Sequence, residues 1–393
     1  MNIGLALSGG GFRATVFHLG VLARLAREER LEDVTFLSTV SGGSLCVGLV
    51  YALNQFRWPK SAEYLDRIVG QAREILMTRD LQSAMIWRGL RSPLRILETR
   101  ADDLSALLRA HWGITLHLCD LPPQPRWMIN ATCYETGKSW RFEHFRMGDY
   151  VFGYADPQDL FLSDALAASA GFPILIGPLV LDTHKYAWYR YRDVETDLKA
   201  LVDPAVHRDR QRENIQPDYP LVHLWDGGVY DNHGLEGLHD FIKGWREDIE
   251  FFIVSDGAGK ARPERYSRGH KALFRMVTGI MMDQVRSLRA RAILERMSNH
   301  EDKGAFLQMG NTREEIFRGA RIQENRETIA RSQLSKEEAK IAAEFPTGIK
   351  RLTADEFERL YRHGFEVAND TFFAYHGQEF RDIAYPSSES ALP

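Results

Sequence analysis

Three short segments carry residue types that could do chemistry together. The first is Ser8-Gly9-Gly10-Gly11-Phe12-Arg13, set between an apolar run and a helical one. Consecutive glycines let the backbone turn sharply and bring bare N–H groups up to a ligand. A helix starting there adds unsatisfied N–H groups and the positive end of its dipole. Such a loop is an anion site, for a phosphate or for the oxyanion of a tetrahedral intermediate. Gly9-x-Gly11-x-x-Ala14 also meets the dinucleotide-binding pattern. That pattern wants an acid at the end of the second strand, whereas this strand ends at Val40-Ser41-Gly42.

The second segment is Thr39-Val40-Ser41-Gly42-Gly43. A serine on a strained strand-to-helix turn is a nucleophile elbow, with small residues two before and two after it. Gly43 fills the second slot, while Thr39 stands where the common pattern has glycine. Ser38 and Ser44 are rival hydroxyls. A serine at a helix start also reads as an N-cap. The third segment is Trp225-Asp226-Gly227-Gly228-Val229-Tyr230-Asp231-Asn232, after the apolar run Leu221–Trp225. An aspartate before two glycines is either the first residue of a turn or a carboxylate exposed at a crevice. Thirteen histidines are present, and His18, His223 and His233 lie near these segments. His233 follows Asp226 by seven residues, too close for triad members on separate loops.

The elements that must hold these segments alternate. Residues 3–8 and Val34–Val40 read as buried strands, and residues 15–27 and 44–54 as helices, the second apolar nearly all round. That order predicts a parallel sheet covered on both faces. Helical spacing from Leu65 to Leu76 and again from Asp102 to His111 predicts a helical cap over 56–120. Residues 126–142 read as a hairpin, 183–220 as an irregular excursion and 271–298 as a long helix. Ser335 with Glu338 and Thr353 with Glu356 are capping boxes. The arginines of 271–298 suggest a solvated face. The aromatic and basic run from Lys185 to Arg192 suits either a membrane interface or a strand with packed rings. The apolar and basic stretch over 77–100 suits a lid or a packed cap.

Composition narrows the class. Hydrophobic residues make up 44% of 393 and charged residues 26%, the balance of a chain that buries a large core. A net charge of −4 gives no footprint for nucleic acid. Cys46, Cys119 and Cys133 show no metal-ligand spacing and no disulfide framework, and the count fits a reducing compartment. The opening run Ile3–Leu7 reads as a strand rather than a leader. A cytoplasmic protein is expected, with peripheral membrane contact rather than a membrane span, no metal and no cofactor.

Taken together, the glycine loop, the serine elbow about 30 residues on and the distant Asp-Gly-Gly resemble the patatin-like phospholipase family. Ser169-Ala170-Gly171-Phe172-Pro173 looks like the family's Ser-Ala-x-x-Pro segment, and Asn130-Ala131-Thr132 with Thr136-Gly137 like its central hairpin. Segments 280–291 and 346–368 look like the C-terminal part of bacterial members. The resemblance implies a three-layer α/β/α fold with a mostly parallel sheet, the cap insertion and a helical C-terminal region. Residues 1–260 would be the catalytic domain and 261–393 an extension packed on it. It further implies Ser41 as nucleophile and Asp226 as base, with Gly9, Gly10 and Gly11 lining an oxyanion hole. Arg13 matches a basic family position, and Gly43, Gly227 and Gly228 support the turns. The expected reaction is hydrolysis of a phospholipid or other lipid ester. The alternative is a binding protein that uses the glycine loop for a lipid or nucleotide without catalysis.

Overall fold

Short apolar runs between glycine turns become parallel strands here, because each is too apolar to leave either face in water. A computed structural model of the chain describes residues 1–91, 100–173, 175–191, 212–240, 244–259, 263–299, 304–322 and 333–386. β1 (Ile3–Leu7) and β3 (Arg126–Cys133) are buried at every position, and β2 (Val34–Val40) at six of seven. With β11 (Phe251–Asp256) and β12 (Gly304–Gln308) they form a parallel block in the order β12-β11-β1-β2-β3. The chain passes from β1 to β2 and β3 on one side, then returns to β11 on the other. Loops leaving the carboxyl ends at such a switch point diverge and open a crevice.

Beyond β3 the sheet becomes antiparallel, through β4 (Ser139–Glu143), β5 (Arg146–Asp149), β6 (Gly153–Ala155), β8 (Trp188–Tyr191) and β9 (Arg212–Ile215). β7 (Leu179–Asp182) pairs with β10 (Leu221–Asp226), and β10 pairs with Ala131–Cys133 of β3. β4 already occupies one edge of β3 at Ala131 and Thr132. β10 must therefore take the other edge, where β2 pairs as far as Val40 opposite Asn130. β2 and β10 run toward each other along one edge and stop tip to tip. Ser41 follows the first and Asp226 ends the second.

Alternation along the strands splits the core in two. Ile3, Leu5, Leu7 and Phe251 pack into one cluster with α1 (Gly11–Ala26), α2 (Gly42–Leu53) and α8 (Ala354–His376). Ala6, Phe36, Phe252 and Val254 pack into another with Leu235, Leu238 and Ile293. Ile293 belongs to α7 (Met282–Asn299). This gives helices on both faces of the sheet. All sixteen residues of α1 are buried, which explains why its sequence shows no polar face. α8 lies against α1 so closely that a Cβ on Gly20 would overlap the Tyr361 carbonyl. Both predicted capping boxes form, Ser335 with Glu338 and Thr353 with Glu356.

The region between β2 and β3 is helical, with α3 (Val69–Thr78), α4 (Leu81–Arg91) and α5 (Arg100–Trp112). α6 (Leu162–Ser169) precedes β7. Residues 92–99, part of the stretch suited to a lid, lie outside the described residues. So do 192–211 of the expected excursion, although β8 and β9 flank them. In β8, Trp188, Tyr189 and Tyr191 are only 3–4% exposed. The aromatic run is a strand with packed rings, not a membrane face. The expectation of a solvated face for 271–298 is also corrected. Arg286 and Arg289 turn inward to Asp256, Asp283, Asp231 and Glu236, and the exposed face carries many apolar side chains beside Lys271, Arg291 and Glu295.

Candidate active site

β2 ends at Val40, and the next residue turns the chain into α2. Ser41 adopts φ 49° and ψ −113°, a left-handed conformation that costs a non-glycine residue about 1–3 kcal/mol. Its hydroxyl makes no capping hydrogen bond to α2, so the N-cap reading fails. What holds the strained turn is its backbone, because the Ser41 N–H donates to Ser169 Oγ at 2.9 Å.

Ser169 closes a buried relay in which every hydroxyl proton has one destination. Trp127 Nε1–H donates to Thr39 Oγ1 (2.9 Å), and the Thr39 and Ser44 hydroxyls stand 2.8 Å apart. Ser44 Oγ is 2.9 Å from Ser169 Oγ, and the Ser169 hydroxyl donates to the Asn130 carbonyl at 2.7 Å. One proton per group fixes the direction as Trp127 to Thr39 to Ser44 to Ser169 to Asn130. Thr39 replaces the usual glycine because its hydroxyl links the elbow to the neighbouring strand. The relay also removes a rival nucleophile, since Ser44 is fully buried and committed. Ser38 is equally buried and donates to the Gly234 carbonyl at 2.6 Å. Ser41 keeps 8% exposure and lines a cavity.

Asp226 reaches the same cavity from the tip of β10. Its Oδ1 accepts the Gly228 N–H at 2.7 Å, so the predicted turn exists. Its Oδ2 has no hydrogen-bond partner among the described residues. Burial pushes the carboxyl from 3.8 up to about 7, against the opposing pull of the Gly228 N–H and the nearby Ser41 side chain. Gly227 N–H donates to the Ser169 carbonyl at 3.3 Å, tying the Asp226 loop to the relay beneath Ser41.

The glycine loop covers the pair. Gly9 packs against Ser41, where an added Cβ would lie 3.0 Å from Ser41 Cβ and 2.6 Å from Asn232 Oδ1. Its N–H donates to the Asn232 carbonyl at 3.1 Å, which leaves it unable to serve an oxyanion. Gly10 and Gly11 have φ of 148° and 62°, open to glycine at little cost. Their N–H groups begin α1 and meet no protein acceptor among the described residues. Two of the three expected donors are thus available. Gly43 N–H donates to the Ser8 carbonyl at 3.0 Å, locking α2 to the loop. Arg13 Nε donates to the Gly257 carbonyl at 3.2 Å, and its Nη1 reaches the Phe345 carbonyl. It fastens the loop to the segments around it.

None of the three histidines lines the cavity. His18 is fully buried, with Nε2 2.9 Å from the Ser8 carbonyl and Nδ1 2.9 Å from Ser255 Oγ. Burial lowers its pKa to about 4, so it is a neutral strut joining β1 to β11. His223 pairs with Glu135 at 2.6 Å, and His233 stands 3.2 Å from Asp256. Among the described residues, no group of acids, cysteines and histidines could hold a metal ion.

The cavity encloses about 550 Å³, within the usual range for a small-molecule site. Leu45, Met85, Phe172 and Ile176 give it apolar walls, and Ser41, Asp226 and the glycine loop form its polar end. Sequence reasoning missed Ser169 as an anchor, and it took Thr39 for a departure and Ser44 for a rival. The signal available was the spacing Thr39, Ser41, Ser44 around one turn.

A family model for patatin-like phospholipase matches residues 5–239. No curated protein matches the sequence. Among solved structures, the chain is similar to human GIVD cytosolic phospholipase A2, with a TM-score of 0.53 and 13% identity. That match covers 94% of this chain and 61% of the human one, so the chain spans about three-fifths of that enzyme's length. VipD from Legionella pneumophila matches over 94% of this chain and 67% of its own, at 13% identity and a TM-score of 0.34. At such identity the human structure speaks for the fold alone, a parallel-centred sheet between helices. The family model spans more than half of the 393 residues and takes in both the serine elbow and the Asp-Gly-Gly turn, and the chain belongs to the patatin-like phospholipase family.

Proposed function

We propose that the chain is a serine acyl-ester hydrolase of the phospholipase A or lysophospholipase type, working through Ser41 and Asp226. The observation that carries this reading is the unpartnered Oδ2 of Asp226, buried beside a strained serine at the polar end of an apolar cavity. An ordinary aspartate near 3.8 is a poor base for a serine hydroxyl. One held near 7 is matched to the task at neutral pH.

In the proposed cycle Ser41 Oγ attacks the ester carbonyl carbon as its proton passes to Asp226. The carbonyl oxygen becomes an oxyanion, received by the N–H groups of Gly10 and Gly11 at the positive end of α1. Collapse breaks the C–O bond, and the leaving alcohol takes the proton from Asp226. The acyl-enzyme is then hydrolysed by water that Asp226 deprotonates, and the proton returns to Ser41. The apolar walls suit an acyl chain. Peripheral contact with a membrane would supply the substrate, and no helix among the described residues is long and apolar enough to cross one.

A fluorophosphonate probe tests the nucleophile. It should modify Ser41 in the wild type and leave Ser41→Ala unmodified, with ester turnover lost in parallel. A wild-type protein that resists the probe and turns over no lipid ester would be a binding protein instead.

A further inference from the structure

The helical rod from His270 to Asn299 borders the cavity inside out. It comprises His270–Phe274, the π-helical stretch Arg275–Met281 and α7. Its inner side lines the cavity with Thr278, Gly279, Met282 and Arg286. Two of its arginines are turned in. Arg286 and Arg289 side chains are only 11% and 16% exposed, each between two carboxylates. The apolar groups are turned out, with Leu273, Met276, Val277, Ile280 and Met281 at 43–66% exposure. Their spacing puts them on one stripe. In α4, which lines the same cavity through Met85 and Ile86, Ile86 and Trp87 are 57% and 66% exposed. An apolar patch rimming a site in this way marks an interaction surface.

Charge points to the occupant. Residues 263–282 carry four cations, Arg265, Arg268, Lys271 and Arg275, against one carboxylate, Glu264. Arg265, Arg268 and Lys271 are exposed beside the apolar stripe. A basic segment leading into an apolar helical face is the pattern of a helix that lies in a bilayer interface. A second copy seated there would set these cations against their own kind. We propose that the 265–281 segment docks on an anionic lipid bilayer, with the apolar stripe at the acyl boundary and the cations among the headgroups. An acyl chain then passes from bilayer to cavity without crossing water. The inference rests on the lipid-hydrolase reading for its substrate, but the docking itself is measured without turnover.

The test is flotation of full-length Ser41→Ala protein with phosphatidylcholine vesicles, with and without phosphatidylglycerol. The parent should float with the doped vesicles and lose binding at high salt. Adding Leu273→Ser, Met276→Ser and Ile280→Ser should cut binding by about tenfold or more. Adding Arg265→Glu, Arg268→Glu and Lys271→Glu should reduce doped-vesicle binding to the neutral-vesicle level. In otherwise wild-type protein, the serine substitutions should lower hydrolysis of vesicle lipid equally and leave a soluble short-chain ester untouched, which also verifies folding. Unchanged flotation of the serine variant would overturn the proposal. So would a parent that never floats, or one that instead forms a dimer which these substitutions dissolve. Flotation through this face with no ester turned over would keep the docking surface and discard the hydrolase. Soluble-ester turnover without flotation would do the reverse.

Discussion

Asp226 and Asp256 end strands of the same sheet, are 2% and 1% exposed, and titrate in opposite directions. Burial raises both. At Asp226 only the Gly228 N–H and the Ser41 side chain resist it, and the carboxyl sits near 7. At Asp256 the His233 ring and the Arg286 guanidinium overrule burial, and the carboxyl falls to about 2. His233 Nε2 lies 3.2 Å from one oxygen and Arg286 Nη1 3.4 Å from the other. Residue type, burial and strand-end position are shared, so the neighbouring charges alone divide the two. A carboxylate with a guanidinium beside it is fixed as an anion and serves as a strut. One without a cation can take up and release a proton near neutrality, which a base requires.

Loss of the carboxyl that lacks a cation should be felt most in activity. Asp226→Asn should lower kcat/KM for a soluble ester by about a thousandfold or more. Near-normal turnover in that variant would remove Asp226 from the reaction. In the wild type the same measurement against pH should show one rising limb, half-maximal near 7, because the base works ionised. A profile flat through neutrality would contradict that role.

The same substitution should stabilise the fold. A carboxyl raised from 3.8 to about 7 costs the native state about 4 kcal/mol once ionised. The unfolded chain gives up this proton first, so the penalty grows as pH rises from about 4 and is complete above about 7. Denaturant melts should therefore show Asp226→Asn more stable than wild type at pH about 8, with the gap closing near pH 4. Asp256→Asn should go the other way. A carboxyl lowered from 3.8 to about 2 contributes about 2 kcal/mol of stability above its unfolded pKa. That contribution is lost as pH falls through the folded value, so this variant and wild type should converge in melts near pH 2. If both isosteric changes shift stability with the same sign, the division by local charge is wrong.

Ser169, beneath the Ser41 and Asp226 turns, should matter less. Ser169→Ala leaves the Ser41 N–H and the Ser44 hydroxyl without their acceptor, at a cost of about 1–2 kcal/mol. Because Ser169 holds the elbow rather than the substrate, kcat for a soluble ester should fall while KM stays. An equal loss in KM would place Ser169 at the substrate instead.

Much of this was written locally. Glycine runs after apolar strands announce turns wherever they occur, so the β1 and β2 elbows and the Asp226 turn were readable from their own residues. The capping boxes at Ser335 and Thr353 were readable for the same reason, since each needs only four consecutive residues. The outward face of 270–281 was not. Arginines at helical spacing look solvated until the carboxylates that claim them are known, and Asp231, Glu236 and Asp256 come from other parts of the chain. Thr39 looked like a flaw because Trp127, which donates to it, lies 88 residues on, and because Ser169 is reached from it only through Ser44.

The candidate nucleophile, the candidate anion loop and the parallel opening are legible in the chain's order of residues, since each depends on backbone geometry set within a few residues. Only folding makes β10 meet β2 tip to tip on one edge of β3, bringing Asp226 to Ser41 across 185 positions of chain. It also decided that Asp226, not Asp256, is the carboxyl without a cation. A pKa depends on burial and on every charge within a few ångströms, and those neighbours come from strands and helices that only folding assembles.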